Sequence, residues 1–352
     1  MDAPGQAVPC AAPLARRMLS PGPLVMPGPH DLFARFTFGQ PERAAAELRA
    51  VLPPRVVSQV DWSTVQQESG SVVDPELRET ESDLLFSARL RGGRPLLFYV
   101  LLEHQSSVDR WMALRMLRYV VRQLEHWRKA NPSSERLPVV VPLVMYHGPD
   151  GAWSAPRRVE ELFDLPDEAE EQDGWRTLVP RFEYLLDDLT AQRAEALMAR
   201  PGPPLARLAW LVLRYGRSAE LAHRLRDWTA LFAQVHADPD GTQNLVVVIR
   251  YLFLIGDKRI RRAAEQVLHS VMDARQSEDL MRTYGETLIE RGHRKGLKHA
   301  VLRILTKRGL LVDEQSRQRI LTCTDVTTLD TWLDRALTAT TLAEVWGEPA
   351  QQ

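Results

Sequence analysis

Seven consecutive apolar residues, Leu96 to Leu102, constrain the fold of this 352-residue sequence more than any other feature. The run is rich in leucine, valine and aromatics and shows no polar alternation. That pattern fits a strand buried on both faces at the centre of a sheet. Asp83 to Leu90 precedes it across Arg91-Gly92-Gly93-Arg94, a segment suited to a hairpin turn. From Arg110 to Lys129 the periodicity becomes helical, with Leu114, Leu117, Val121 and Leu124 on one stripe. Pro132 ends that helix, and Leu137 to Tyr146 is a second, valine-rich strand. Strand, helix, strand in this order predicts a crossover unit in an α/β sheet.

The flanks divide the remainder. Seven prolines between Pro4 and Pro29 and the lack of a continuous apolar core make residues 1–29 a flexible leader rather than a secretory signal. His30 to Val51 reads as two helices, the second opened by Pro41 and closed by Pro53-Pro54. Val56 to Val73 reads as extended or mixed. The α/β core is therefore expected over residues 30–156. Residues 157–188 hold eleven acidic and four basic side chains, so 157–190 is expected to be a solvated connection with short helices. Residues 191–352 are mainly α, with helices expected at 192–215, 218–236, 242–254, 259–273, 276–290 and 294–308 and two or three short ones beyond Val312.

Composition excludes several classes. A net charge of −1 means that any nucleic-acid affinity must come from local patches. Two cysteines, Cys10 and Cys323, far apart in sequence, form neither a disulfide framework nor a cysteine zinc knuckle and fit a reducing cytoplasm. No apolar run reaches the roughly 18 residues needed to cross a bilayer, so no membrane partner is expected.

The chemistry gathers where the hairpin strands begin and end. Asp83 opens the first strand and Glu103 follows the apolar run directly. If the strands pair across the turn, the two carboxylates approach each other at one end of the sheet. Like charges held together in an apolar setting call for a cation, and two carboxylates suit Mg²⁺ or another divalent ion. Gln105, two residues after Glu103, falls on the same strand face; the backbone carbonyl of His104 can turn to the metal. Gln105 can orient a water or a phosphate oxygen but cannot act as a base. The plainer alternative is an aspartate at a turn and a glutamate meeting solvent.

Basic residues follow closely. Between Arg110 and Lys129 six cations face the single acid Glu125, and Arg115, Arg118 and Arg122 share one helical face. That face is expected to hold DNA phosphates or to be an ordinary solvated surface. Arg291 to His299 forms a second basic patch, expected to be an exposed turn between helices. His147, at a strand end, is expected to be a structural hydrogen-bonder.

Five blocks carry a family resemblance. They are His30-Asp31 with Phe33; Ser82-Asp83-Leu84-Leu85; Leu101-Leu102-Glu103-His104-Gln105-Ser106; Arg110 to Arg115 with Arg118-Tyr119; and Pro142 to Gly148. Together they resemble the Rpn or YhgA-like family of transposase-like, recombination-promoting nucleases within the PD-(D/E)xK superfamily. The resemblance implies a restriction-endonuclease-like core, a central mixed sheet flanked by helices, and metal-dependent DNA endonuclease activity. By the same resemblance Asp83, Glu103 and Gln105 fill the Asp, Glu and Lys positions, and Asp31 or Glu47 from the first helices joins the metal site; Asp31 as a helix cap is the competing reading. Ser82 replaces the proline of the superfamily label and Gln105 replaces its lysine. A DNA- or partner-binding module that keeps the fold without cutting is the alternative function. Cutting both strands usually takes two active sites, so a homodimer is an expected assembly.

Overall fold

Gly93 turns the chain back on itself with φ of 77°, a left-handed conformation natural to glycine. Leu90 N–H donates to the Arg94 carbonyl across this turn, closing the expected hairpin. The computed structural model describes residues 28–68, 83–103, 108–148, 151–166 and 174–347. In it β1 spans Val60–Gln67, β2 Asp83–Leu90, β3 Pro95–Glu103, β4 Val139–Tyr146 and β5 Leu185–Asp188. The sheet order is β1-β2-β3-β4-β5, so the apolar run of β3 is the middle strand. β1, β2 and β3 pair antiparallel, whereas β4 is parallel to both β3 and β5. The sheet is mixed and the protein α/β.

Three helices precede the sheet: α1 Pro29–Phe38, α2 Pro41–Val51 and the short α3 Pro54–Val57. Proline opens each, where the missing N–H costs nothing and φ is preset. Helix α4, Met112–Ala130, makes the crossover from β3 to β4. After β5 come α5 Ala194–Met198, α6 Pro204–Tyr215, α7 Leu221–Asp227, α8 Thr229–Ala237, α9 Gly241–Ile255, α10 Lys258–Val271 and α11 Ala274–Lys307. Three short helices follow: α12 Glu314–Thr322, α13 Val326–Ala336 and α14 Leu342–Trp346. Among the described residues no helix is long and apolar enough to cross a membrane.

The strand pleat sorts the core. Leu84, Phe86, Phe98, Val100, Leu143 and Met145 project to one side, into a cluster with Phe33, Leu48, Trp210, Leu245 and Val267. Leu85, Tyr99 and Val144 project to the other, against Met112, Met116 and Tyr119 of α4. The helices from α6 to α10 therefore share a core with the sheet. A smaller third cluster joins Leu297, Val301 and Leu305 of α11 to Ile320, Leu329, Trp332 and Val345.

Three expectations need correction. The leucine stripe of α4 is not its main buried face: Leu114 and Val121 are exposed and Leu117 packs on the cluster beneath the helix only as a partly buried residue, whereas Met112, Ala113, Met116, Tyr119 and Val120 are buried. Both stripes have helical period, and hydropathy alone favours the leucines over a stripe carrying Tyr119 and Gln123. The acidic stretch is more than a connection, because its last residues form β5. Asp187, buried within that strand, is neutralised by two 2.7 Å hydrogen bonds from Arg200. Arg291 to His299 is no turn but the middle of the continuous helix α11. A Cβ at Gly292 or Gly296 would meet nothing. These glycines each cost about 1 kcal/mol of propensity, which the helix carries without breaking.

Candidate active site

The two acids that motivated the metal expectation lie at one end of the sheet. Asp83 is the first residue of β2 and pairs with Leu101; Glu103 is the last residue of β3 and pairs with Tyr146 of β4. For both, the backbone position is what is described. His104 and Gln105 lie outside the described residues. Among the described residues no three His, Cys, Asp or Glu side chains form a group that could hold a metal ion.

Separated sequence blocks meet just beyond Tyr146. His147 is buried, with its ring 5.6 Å from that of His30 in the first turn of α1. Nδ1 of His30 shares a 2.7 Å hydrogen bond with the hydroxyl of Tyr251 on α9. The Tyr251 ring stacks on Phe33 at 4.3 Å, and burial drives its hydroxyl pKa far up, so the phenol stays protonated. Arg217 donates to the His147 carbonyl at 3.4 Å. Gly148 completes the Tyr-His-Gly block for a steric reason: the Tyr146 ring lies so close that a Cβ there would collide with it. Sequence reasoning missed Tyr251 and Arg217. Their one available signal was a tyrosine inside the otherwise aliphatic face of α9.

Helix α4 covers the sheet face on which Tyr99 lies. The Tyr119 ring sits 5.0 Å from Tyr99, and its hydroxyl accepts a 3.1 Å hydrogen bond from Arg115 Nε. Arg115 also stands 3.9 Å from Asp109, and Arg118 lies over the Tyr119 ring. Arg115, Arg118 and Arg122 line one shallow groove along α4. In the second basic patch Arg294 and Lys298 donate to the carbonyls of Thr324 and Leu321, so part of its charge caps the end of α12.

The structure gives Asp31 and Glu47 clear local roles. Asp31 is buried and accepts from the Gly28 N–H at 2.9 Å, capping α1. Glu47 is buried in α2, where Oε2 accepts from the Trp210 indole at 2.6 Å and lies 3.8 Å from Arg200. Burial first, then the neighbouring Asp187, hold its carboxyl well above the usual range; Arg200 opposes them. Glu47 thus belongs to a buried Asp187–Arg200–Trp210 cluster.

Comparison with known proteins decides the family. Residues 28–243 match the family model described as "Putative transposase, YhgA-like". The chain belongs to the YhgA-like family. "Recombination-promoting nuclease RpnA" of Escherichia coli (strain K12) is 38% identical over 120 residues, 34% of this chain and 40% of RpnA. RpnD of Escherichia coli O157:H7, also named a recombination-promoting nuclease, is 36% identical over 124 residues, 45% of its length. The chain thus spans less than half of either relative. "Inactive recombination-promoting nuclease-like protein RpnE" of strain K12 is 29% identical over 306 residues, 86% of this chain and 96% of RpnE. No solved structure matches the chain.

Proposed function

We propose that this YhgA-like protein is a metal-dependent DNA endonuclease in which Asp83 and Glu103 hold one Mg²⁺ or other divalent ion. The observation that carries this reading is the register of the hairpin. Asp83 pairs with Leu101, two residues before Glu103, so the two acids are diagonal neighbours on adjacent strands. Diagonal positions in an antiparallel pair stand about 7–8 Å apart, a gap two carboxylates can close around one ion. Two carboxylates and a backbone carbonyl, here that of His104, are hard oxygen donors of the kind such ions prefer. The element order α2-β1-β2-β3-α4-β4 is compatible with a PD-(D/E)xK core.

Within this reading each side chain has a stated task. Asp83 and Glu103 fix the ion at the sheet end. A bound divalent ion supplies the positive charge and Lewis acidity that phosphodiester hydrolysis needs. Gln105 orients the attacking water or a phosphate oxygen through its amide. Arg115, Arg118 and Arg122 bind neighbouring phosphates and position the duplex. The work is done in the cytoplasm, in keeping with the sparse cysteines.

A second reading has its own observation. RpnE, the relative matched over most of this chain, carries the name inactive. On that reading the protein binds DNA or a protein partner and cuts nothing. Purified chain mixed with supercoiled plasmid separates the two. The endonuclease nicks or linearises plasmid with Mg²⁺ and not with EDTA, and Asp83→Ala or Glu103→Ala abolishes cutting while DNA is still retained. Retention without cutting under any divalent ion establishes the second reading.

A further inference from the structure

We propose that the cavity between α1, α9 and α11 binds a small amphiphile with an anionic head and an unbranched hydrocarbon tail. The cavity holds about 790 Å³, the size of a small-molecule site. It lies where two separately packed parts of the chain meet. Phe33 of α1 and Tyr251 of α9 belong to the core shared with the sheet, whereas α11 contributes Leu297 to the third cluster. The α1 and α9 side is largely apolar, with Leu32, Phe36, Val247 and Leu254 on its lining. Leu32 is 52% exposed, a large apolar side chain that the fold leaves uncovered. The α11 side is basic, lined by Arg294, Lys295, Lys298 and His299, and Arg250 of α9 adds a further cation. This is the second basic patch of the sequence, and no described acidic residue lines the cavity with it.

The basic side calls for an anion. Arg294 and Lys298 stand four residues apart on one helix, where like charges repel. Among the described residues no ion pair joins any of these basic side chains to a carboxylate. Nε of Arg294 is buried with no hydrogen-bond partner among the described residues. Burial holds the Lys298 ammonium below its ordinary range; Cys323 opposes this and Arg294 adds to it. The carbonyls of Thr324 and Leu321 accept from Arg294 and Lys298 but carry no full charge. A carboxylate or phosphate supplies it, with charge-assisted hydrogen bonds. The apolar side selects the tail. A bare phosphate ion would leave Leu32 uncovered. A nucleobase finds no stacking platform, because Phe33 and Tyr251 are each 2% exposed and stack on one another, and His30 engages the Tyr251 hydroxyl. Leu32, Val247 and Leu254 offer a base edge no hydrogen bond. An acyl chain asks for none and gains by covering apolar surface. Residues 1–27, which lead into α1, carry Arg16 and Arg17 against the single acid Asp2, so their charge does not complement the basic side.

The site stands whether or not the protein cuts DNA. Isothermal titration of the full chain with dodecanoate and with dodecyl phosphate, both below micelle formation, tests it. At least one of the two anions should bind saturably, one per chain, and raise the melting temperature; the tighter one identifies the head as carboxylate or phosphate. Decanoate, two methylenes shorter, should bind about tenfold more weakly than dodecanoate. Dodecanol, which lacks the charge, and inorganic phosphate, which lacks the tail, should each lose about tenfold or more against the tighter dodecyl anion. Lys295→Gln, at an exposed position, and Arg294→Gln should each weaken binding severalfold with unchanged far-UV circular dichroism. Lys258→Gln, at an exposed position on α10 away from the cavity, serves as control and should bind as wild type does. A wild type that binds neither dodecyl anion, dodecanol that binds as tightly as they do, or Lys295→Gln and Arg294→Gln that both keep full affinity overturns the proposal. Tighter binding of thymidine monophosphate than of either dodecyl anion, weakened by the same substitutions, overturns it in favour of a nucleotide.

Discussion

The hydroxyl of Tyr251 on α9 lies 2.7 Å from Nδ1 of His30 on α1, joining the helical half of the chain to the sheet end that carries Glu103. His30 in turn sits against His147, one residue past the Tyr146 that pairs with Glu103. Tyr251→Phe keeps the stack on Phe33 and removes the hydrogen bond. Urea unfolding should register a loss of about 1 kcal/mol, the net worth of one buried hydrogen bond. The His30 imidazole signals should shift in an NMR spectrum while distant resonances stay put. An unchanged midpoint and unchanged signals would mean that the contact contributes nothing.

Arg200 neutralises Asp187 through both carboxylate oxygens and stacks on the Trp210 ring at 4.9 Å. Arg200→Met leaves Asp187 buried without its cation. Removing one partner of a buried pair costs about 3–5 kcal/mol. The double variant Arg200→Met with Asp187→Asn should recover much of that loss, which a denaturation cycle measures directly. Equal loss in both variants would show that packing of the arginine stem, not charge, is what matters.

Glu47 supplies a pH signature. Its carboxyl is held well above the usual range by burial and by Asp187, so the folded protein keeps it neutral. For a carboxylic acid raised in this way, the stabilisation is complete below the unfolded value of about 4.3 and is lost as pH rises toward the folded pKa. The loss runs at about 1.4 kcal/mol per pH unit within that window. Glu47→Gln has no proton to lose. Wild type should match or exceed the variant at pH 4 and fall progressively behind it toward pH 8 in urea midpoints. Parallel curves across the range would contradict the assignment.

Gly148→Ala places a methyl group against the Tyr146 ring, which must move. The ring also makes an edge-on contact with Trp153 at 4.9 Å, so displacement should reach that indole. The expected result is a melting temperature lowered by several degrees, for a strain of about 1–3 kcal/mol, together with altered tryptophan fluorescence. A variant indistinguishable from wild type would mean that the tyrosine has room to swing away.

The parts of the fold that were legible in sequence are those where one local rule dominates. Leu96 to Leu102 could only be a central strand, Gly92-Gly93 a turn, and Pro41 and Pro53 helix boundaries. The parts that were hidden depend on partners distant in sequence. β5 reads as acidic coil because the cation that neutralises Asp187 is Arg200, thirteen residues later. The buried face of α4 competes with an equally periodic leucine stripe, and only the finished sheet decides between them. At the site, the converging ends of β2 and β3 follow from hairpin register and were foreseeable. The approach of Tyr251 to His30 spans 221 residues and leaves no trace in spacing.

The central claim is that Asp83 and Glu103 grip one ion together. Titration of Mn²⁺ into metal-free protein, followed by the loss of the free-ion electron paramagnetic resonance signal, measures this without relying on cleavage. Wild type should take up one ion that Mg²⁺ displaces, and Asp83→Asn and Glu103→Gln should each weaken uptake at least tenfold, with the double variant no worse than the weaker single one. Uptake unaffected by either substitution would contradict the shared site.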